Sequence, residues 1–224
     1  MYLFLDTETT GLDEEDRLIQ LAYIDEKNNI VDKLFCPDIP IKIAAMAIHN
    51  ITTKMVFHKK KFNESREKYN LIQLLKNGTI PVIHNAKFDI GMLEKEGVDV
   101  TRFICTQKLI YFLDINGIIE SYSLQYLRYW FGLGVEATAH DALGDVLVLK
   151  ELFKKIIEPK LSLEQMIKIS SNPTLISKIN FGKHKGELFK NIPYDYLKWI
   201  QSQPSMGEDL LYTAKYWMEK GEKK

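Results

Sequence analysis

The chain has 224 residues, 46% of them hydrophobic and 27% charged, and its 30 Lys and Arg balance its 30 Asp and Glu to a formal net charge of zero. Aromatic residues make up 11%, with only 7 Pro and 12 Gly, which excludes a disordered, collagen-like or low-complexity chain; the length suits one full domain plus a smaller unit. A polyanion binder is expected to carry a basic surplus, so neutrality argues against a nucleic-acid partner, but it says nothing of how the charge is distributed.

Residues 2–5 (Tyr-Leu-Phe-Leu) read as a buried strand, and residues 17–24 as a second strand beyond a turn at Gly11. A third strand over 29–35 makes an antiparallel meander. After Pro37 and Pro40, residues 43–49 form a short helix, and 64–76 a longer amphipathic one stopped at Asn77-Gly78. Residues 79–84 are a short buried strand with Pro81 near its start, where a missing N–H costs least. Asn85 stands at the N-cap position of a helix that runs to Glu96 and is ended by Gly97. Helices follow around 106–112, 123–131 and 142–157.

Strands first, and alternating strand and helix later, predict an α/β fold: a mixed sheet, antiparallel meander plus parallel strands, flanked by helices. Pro159 and the polar stretch through Ser170-Ser171-Asn172-Pro173 place the domain boundary. The expected division is a domain over 1–158, a linker with a short helix over 159–177, and a small basic α+β module over 178–224.

No apolar stretch approaches the roughly 18 residues of a membrane span, and Asp6 and Glu8 come too early for a signal peptide, so a cytoplasmic protein without a membrane partner is expected. Cys36 and Cys105 have no paired spacing and read as two buried thiols. Charge is unevenly spread: residues 1–26 hold eight acids against one base, whereas residues 178–224 hold nine lysines against six acids. The run Asp13-Glu14-Glu15-Asp16 reads as a solvated loop that discourages duplex backbone from crossing that edge.

Asp6 and Glu8 lie two apart on an apolar strand, so both carboxylates leave one face of the sheet. They repel each other unless a cation lies between them, although the bare pattern also fits a solvated strand end. Asp89 falls in the first turns of the helix that leaves the end of a buried strand, where sites are assembled and where the helix dipole also favours an acid. His140 and Asp145 are about 140° apart if they share one helix and then cannot converge. They converge if the helix starts after His140 with Asp141 as its N-cap. Four carboxylates on three elements and one loop histidine are what metal-assisted phosphodiester hydrolysis requires: hard divalent cations take oxygen ligands, and an imidazole takes the proton of the attacking water.

In chain order, Asp6-Thr7-Glu8-Thr9-Thr10-Gly11, His49-Asn50-Ile51-Thr52, His84-Asn85-Ala86-Lys87-Phe88-Asp89 and His140-Asp141-Ala142-Leu143-Gly144-Asp145 resemble the motifs of the DEDDh 3′→5′ exonucleases. The resemblance covers about residues 1–158 and implies a ribonuclease H-like fold, two Mg²⁺ or Mn²⁺ ions, and release of nucleoside 5′-monophosphates from a 3′ end. It makes Asp6, Glu8, Asp89 and Asp145 metal ligands and His140 the general base. It further implies that Thr9 meets the terminal 3′-hydroxyl, that Leu12 wedges against the last base, and that His49, Asn85 and Phe88 lie beside the substrate. Asn50 replaces the family's usual glycine after His49, and asparagine tolerates positive φ better than most residues.

Phe181-Gly182-Lys183-His184-Lys185-Gly186 reads as a tight basic turn, either an ordinary solvated hairpin or a phosphate contact. Tyr194, Tyr196 and Trp199 suit a core or a stacking platform equally. With Pro193-Tyr194-Asp195-Tyr196-Leu197-Lys198-Trp199, this stretch resembles the small C-terminal module of exonuclease X-like proteins, which makes Lys183, His184 and Lys185 a nucleic-acid contact tip. The expected substrate is single-stranded or frayed DNA at its 3′ end, in repair or turnover. The alternatives are trimming of RNA 3′ ends and a non-catalytic binding module, which would have lost an acid or the histidine. Oligomeric state is left open.

Overall fold

The computed structural model describes residues 1–137 and 140–221. The chain divides into two compact units, Met1–Thr106 with Ser123–Leu161 and Gln107–Tyr122 with Ser162–Lys224.

The first unit is built on a five-stranded sheet ordered β3-β2-β1-β4-β5. Strands β1 (Tyr2–Thr9), β2 (Leu18–Asp25) and β3 (Ile30–Leu34) form the expected antiparallel meander; β4 (Ile80–Ile83) runs parallel to β1, and β5 (Ile104–Cys105) parallel to β4. Helices α1 (Ile43–His49), α2 (Thr53–Val56), α3 (Arg66–Lys76) and α4 (Ala86–Lys95) follow the meander and β4. Beyond β5 come α5 (Thr106–Leu113), α6 (Leu124–Trp130) and α7 (Ala142–Leu152).

The alternation of β1 assigns its two faces. Leu3 and Leu5 enter a core with Leu71 of α3 and Ala86, Ile90 and Leu93 of α4. Tyr2 and Phe4 point the other way and meet Phe153 edge-on, with ring centroids 5.0 and 5.5 Å away. Phe153 opens a single π-helical turn (Phe153–Ile157) that prolongs α7, so α7 packs on the β1 face from which Asp6 and Glu8 also project.

The loop between β1 and β2 is solvated only in part, which corrects the expectation for Asp13 to Asp16. Asp16 is fully buried: Oδ1 accepts from Thr10 Oγ1 at 2.7 Å, and Oδ2 accepts from Asp13 N at 2.7 Å and Lys42 Nζ at 2.6 Å. A carboxylate with three donors is cheap to bury, whereas Asp13, Glu14 and Glu15 stay exposed. Gly11 is required here by close approach, since a Cβ would stand 2.5 Å from Asp16 Oδ2. Cys105 is buried as expected, but Cys36 is partly exposed, in the turn after β3.

The second unit packs α8 (Leu163–Ser171), α9 (Tyr194–Gln201) and α10 (Glu208–Gly221), with a core of Ile179, Phe189, Ile192, Leu197, Ile200 and Ala214. Its extended pairing among the described residues is one bridge, Lys178 to Leu188. Residues 107–122 belong to it through contacts distant in sequence. Lys108 Nζ donates to the carbonyls of Ser170 (3.1 Å) and Asn172 (2.5 Å) at the C-terminal end of α8, and Ser177 Oγ donates to Asp114 O at 2.7 Å. Among the described residues no helix is long and apolar enough to cross a membrane.

Candidate active site

Asp6 and Glu8 stand at the C-terminal end of β1, opposite Ala22 and Gln20 of β2. Asp145 reaches them from the first turn of α7: one carboxylate oxygen from each of Asp6, Glu8 and Asp145 lies within 4.8 Å of the others. The cap that places Asp145 is Asp141, whose Oδ2 accepts from Gly144 N at 3.1 Å. The helix therefore starts at Ala142 and leaves His140 outside it, exposed, with φ 58°.

Asp89 enters from α4. β4 pairs with β1 only as far as Phe4 opposite Val82, so beyond that point the β1 edge is open to a side chain. Asp89 Oδ1 takes it up, accepting from Thr7 N at 3.1 Å and Thr7 Oγ1 at 2.7 Å. Both bonds fall on one oxygen, which locks the carboxylate in place and leaves Oδ2 for another partner.

No Lys, Arg or His forms an ion pair with these four acids among the described residues. Their carboxyls respond as crowded acids must. Burial, then the charges of Asp89, Asp145 and Glu8, holds Asp6 well above the usual range. Burial, then Asp145, Asp89 and Asp141, pushes Glu8 up to about 8. Burial lifts Asp89 to about 7 against the lowering pull of the Thr7 hydrogen bonds. Asp145 is raised by burial despite the Gln125 amide, the His140 charge and a hydrogen bond from the His140 backbone, which all favour its ionised form. A compact set of carboxylate oxygens without sulfur, short of positive charge, fits hard divalent cations of the Mg²⁺ or Mn²⁺ kind.

Beside the acids is a cleft of about 330 Å³ whose lining includes Glu8, Thr9, Leu12, His49 and Phe88. Leu12 is 79% exposed at its edge. Thr9 Oγ1 donates to Gly11 O at 2.7 Å. His49 is committed: Nδ1 accepts from Ile51 N at 3.0 Å, so the proton is on Nε2, which donates to Thr9 O at 3.2 Å. Burial lowers its pKa and keeps it neutral, so it ties α1 to the end of β1. Asn50 occupies the position of the family's glycine with φ 60° and closes α1 by donating its backbone N–H to Met46 O.

Asn85 precedes α4 as expected but does not cap it with its side chain. Its φ of 57° is left-handed, whereas a capping side chain needs an extended backbone to reach the first free amides. Asn85 is exposed, and it is not part of the cleft lining.

Lys183, His184 and Lys185 lie in the second unit. The two lysines are exposed, with Lys183 Nζ 5.4 Å above the Tyr196 ring. His184 turns inward: Nδ1 meets Glu187 Oε1 at 3.0 Å, the ring lies edge-on to Tyr196 at 4.6 Å, and Nε2 is buried. Gly182 allows this turn, with φ 65° and a Cβ that would lie 2.4 Å from the Tyr196 hydroxyl.

Sequence reasoning missed Thr7, Gln20 and Gln125. Gln20 Nε2 donates to Asp32 Oδ1 at 2.8 Å and to Asp141 Oδ1 at 3.3 Å, which steadies the cap before α7. Its place opposite Glu8 follows from strand register, which the sequence does not display.

Residues 3–153 match the sequence model of the RNase T family, whose description is exonuclease. Exodeoxyribonuclease 10 of Escherichia coli strain K12 is 31% identical over 233 aligned residues, covering 98% of this chain and 99% of the relative. The DNA polymerase III epsilon subunit of Treponema pallidum is 34% identical over 166 residues, covering 68% of this chain and 74% of that protein. A solved structure of exonuclease X in complex with 5′-overhanging duplex DNA superposes with a TM-score of 0.62 at 30% identity, over 76% of this chain and 99% of that one.

Proposed function

Because this chain belongs to the RNase T family of exonucleases and has a ribonuclease H-like fold, we propose that it is a 3′→5′ exodeoxyribonuclease. It releases nucleoside 5′-monophosphates one at a time from single-stranded or frayed DNA 3′ ends, in cytoplasmic repair or turnover. The observation that carries this reading is the group of Asp6, Glu8 and Asp145 oxygens at the end of β1, with Asp89 anchored to Thr7 of the same strand, beside a cleft in the size range of a small-molecule site. The DNA preference is supported by full-length similarity to an exodeoxyribonuclease and by a solved relative bound to DNA.

Asp6, Glu8, Asp89 and Asp145 would hold two divalent cations, Mg²⁺ or Mn²⁺. Such ions, when bound, neutralise the carboxylates, acidify water and take up charge on the leaving oxygen. The chain's own groups do the rest. His140, exposed just before α7, takes the proton of the attacking water on its imidazole. Thr9 Oγ1, whose proton is given to Gly11 O, accepts from the terminal 3′-hydroxyl. Leu12 wedges against the last base, and Phe88 forms part of the cleft that receives it. Exposed Lys183 and Lys185 of the C-terminal unit hold the strand by its phosphates.

Digestion of matched DNA and RNA oligonucleotides of one sequence tests the sugar preference. Faster loss of DNA is expected, and equal rates or faster RNA loss refute it. Asp6→Ala tests the site: a variant that digests a 3′-labelled strand as fast as the wild type refutes the assignment.

A further inference from the structure

Beside Asp145, a run of hydrogen bonds continues through two side chains of α6. Gln125, in the first turn of α6, donates from Nε2 to Asp145 Oδ1 at 2.5 Å. Its own Oε1 accepts from Arg128 Nη1 at 3.3 Å, one helical turn further on. The same guanidinium donates to the backbone carbonyl of Ala137 at 3.0 Å and to that of Val135. These carbonyls lie three and five residues ahead of His140 in the sequence.

This run of bonds suits an arginine. Its planar group carries five donors in a fixed fork, and two of its nitrogens share the work of holding an amide oxygen and two carbonyls; a lysine gathers its three donors on one nitrogen and cannot stand in both places. Arg128 is half-buried and has no carboxylate partner among the described residues. His140 itself sits at φ 58°, in the left-handed region.

We infer that Arg128 is a positioning residue for the reaction: by holding the backbone at Val135 and Ala137 it helps to place His140, and through Gln125 it orients the carboxylate of Asp145. This rests on the roles proposed above for His140 and Asp145. A base displaced by about 1 Å loses on the order of 10²-fold in rate, and the loss appears in turnover more than in binding.

The test uses the full chain, with Arg128→Ala, Arg128→Lys and Gln125→Ala made in both the wild-type and the His140→Ala backgrounds. In the wild-type background, Arg128→Ala lowers kcat about 10- to 100-fold with KM for a single-stranded oligonucleotide within about twofold, and Arg128→Lys does not restore it. In the His140→Ala background the same substitution costs at least about threefold less, because the base it places is gone. The rise in Tm on adding Mg²⁺, read without turnover, is smaller in Gln125→Ala than in the wild type. Equal losses in the two backgrounds, wild-type kcat for Arg128→Lys, or an undiminished Mg²⁺ shift in Gln125→Ala overturns this inference alone. His140→Ala that turns over like the wild type overturns the proposed base, and this inference with it.

Discussion

Raising the pH from 5 to 8 in the presence of a chelator is expected to lower the melting temperature of the protein. The carboxyl of Glu8 is pushed up from 4.5 to about 8, and that of Asp89 from 3.8 to about 7. An acid whose pKa is higher in the folded state keeps its proton there after the unfolded chain has lost it. Its contribution is complete below the unfolded value and is lost as the pH climbs through the folded one. Glu8 alone costs about 1.4 kcal/mol per pH unit across that window, so pH 5 to 7 removes up to about 3 kcal/mol. The acids share one repulsion, so the total is not the sum over four. For a chain of this size 3 kcal/mol corresponds to a fall of roughly 6–12 °C. Saturating Mg²⁺ opposes the fall, because metal binding competes with protons for the same oxygens and strengthens as they leave. Differential scanning fluorimetry from pH 5 to 8, with chelator or with Mg²⁺, reads both curves, and Glu8→Gln should remove much of the chelator slope. A chelator Tm that is flat or rises over this range, or a Mg²⁺ shift equal at both ends, refutes the electrostatic account of the cluster.

Asp6→Asn and Asp145→Asn should each lower kcat by about 10³-fold or more while raising the Tm measured in chelator, since each removes one of the mutually repelling charges. Gly11→Ala puts a Cβ 2.5 Å from Asp16 Oδ2 and 2.6 Å from Lys42 Cδ, and denaturant titration should show a loss of about 1–3 kcal/mol. Leu12→Ala should leave Tm within a degree or so, because the side chain is 79% exposed, and should slow digestion of frayed duplex ends more than of single strands. Lys183→Glu combined with Lys185→Glu should weaken single-strand binding about tenfold and reduce the salt slope of log K by about 2, with unchanged Tm.

The sheet and the acids were legible because their signals are local. Asp6 and Glu8 are two apart on a strand that buries Leu3 and Leu5 on its opposite face, and Asp141 as a cap keeps His140 outside α7. What stayed hidden depends on contacts made across the fold. Asp16 looks like its acidic neighbours until Lys42, 26 residues on, reaches it. Asp89 carried the helix-dipole reading, and only the open edge of β1 beyond Phe4 shows why it is anchored to Thr7. His184, between two lysines, looked exposed, but Tyr196 and Glu187 draw it inward. Gln125 has no motif: its function depends on α6 lying against α7. Asn85 occupies the expected place with a backbone that forbids the expected bond.

The most direct test of the central claim follows one oligonucleotide labelled at either end, digested with Mg²⁺ or with chelator and resolved by product size. The account predicts that a 3′ label is released first, as a nucleoside 5′-monophosphate, while a 5′ label shortens one nucleotide at a time, with both stopped by chelation and by Asp6→Ala. Release of the 5′ label first, internal cleavage, or digestion that persists in chelator would contradict it.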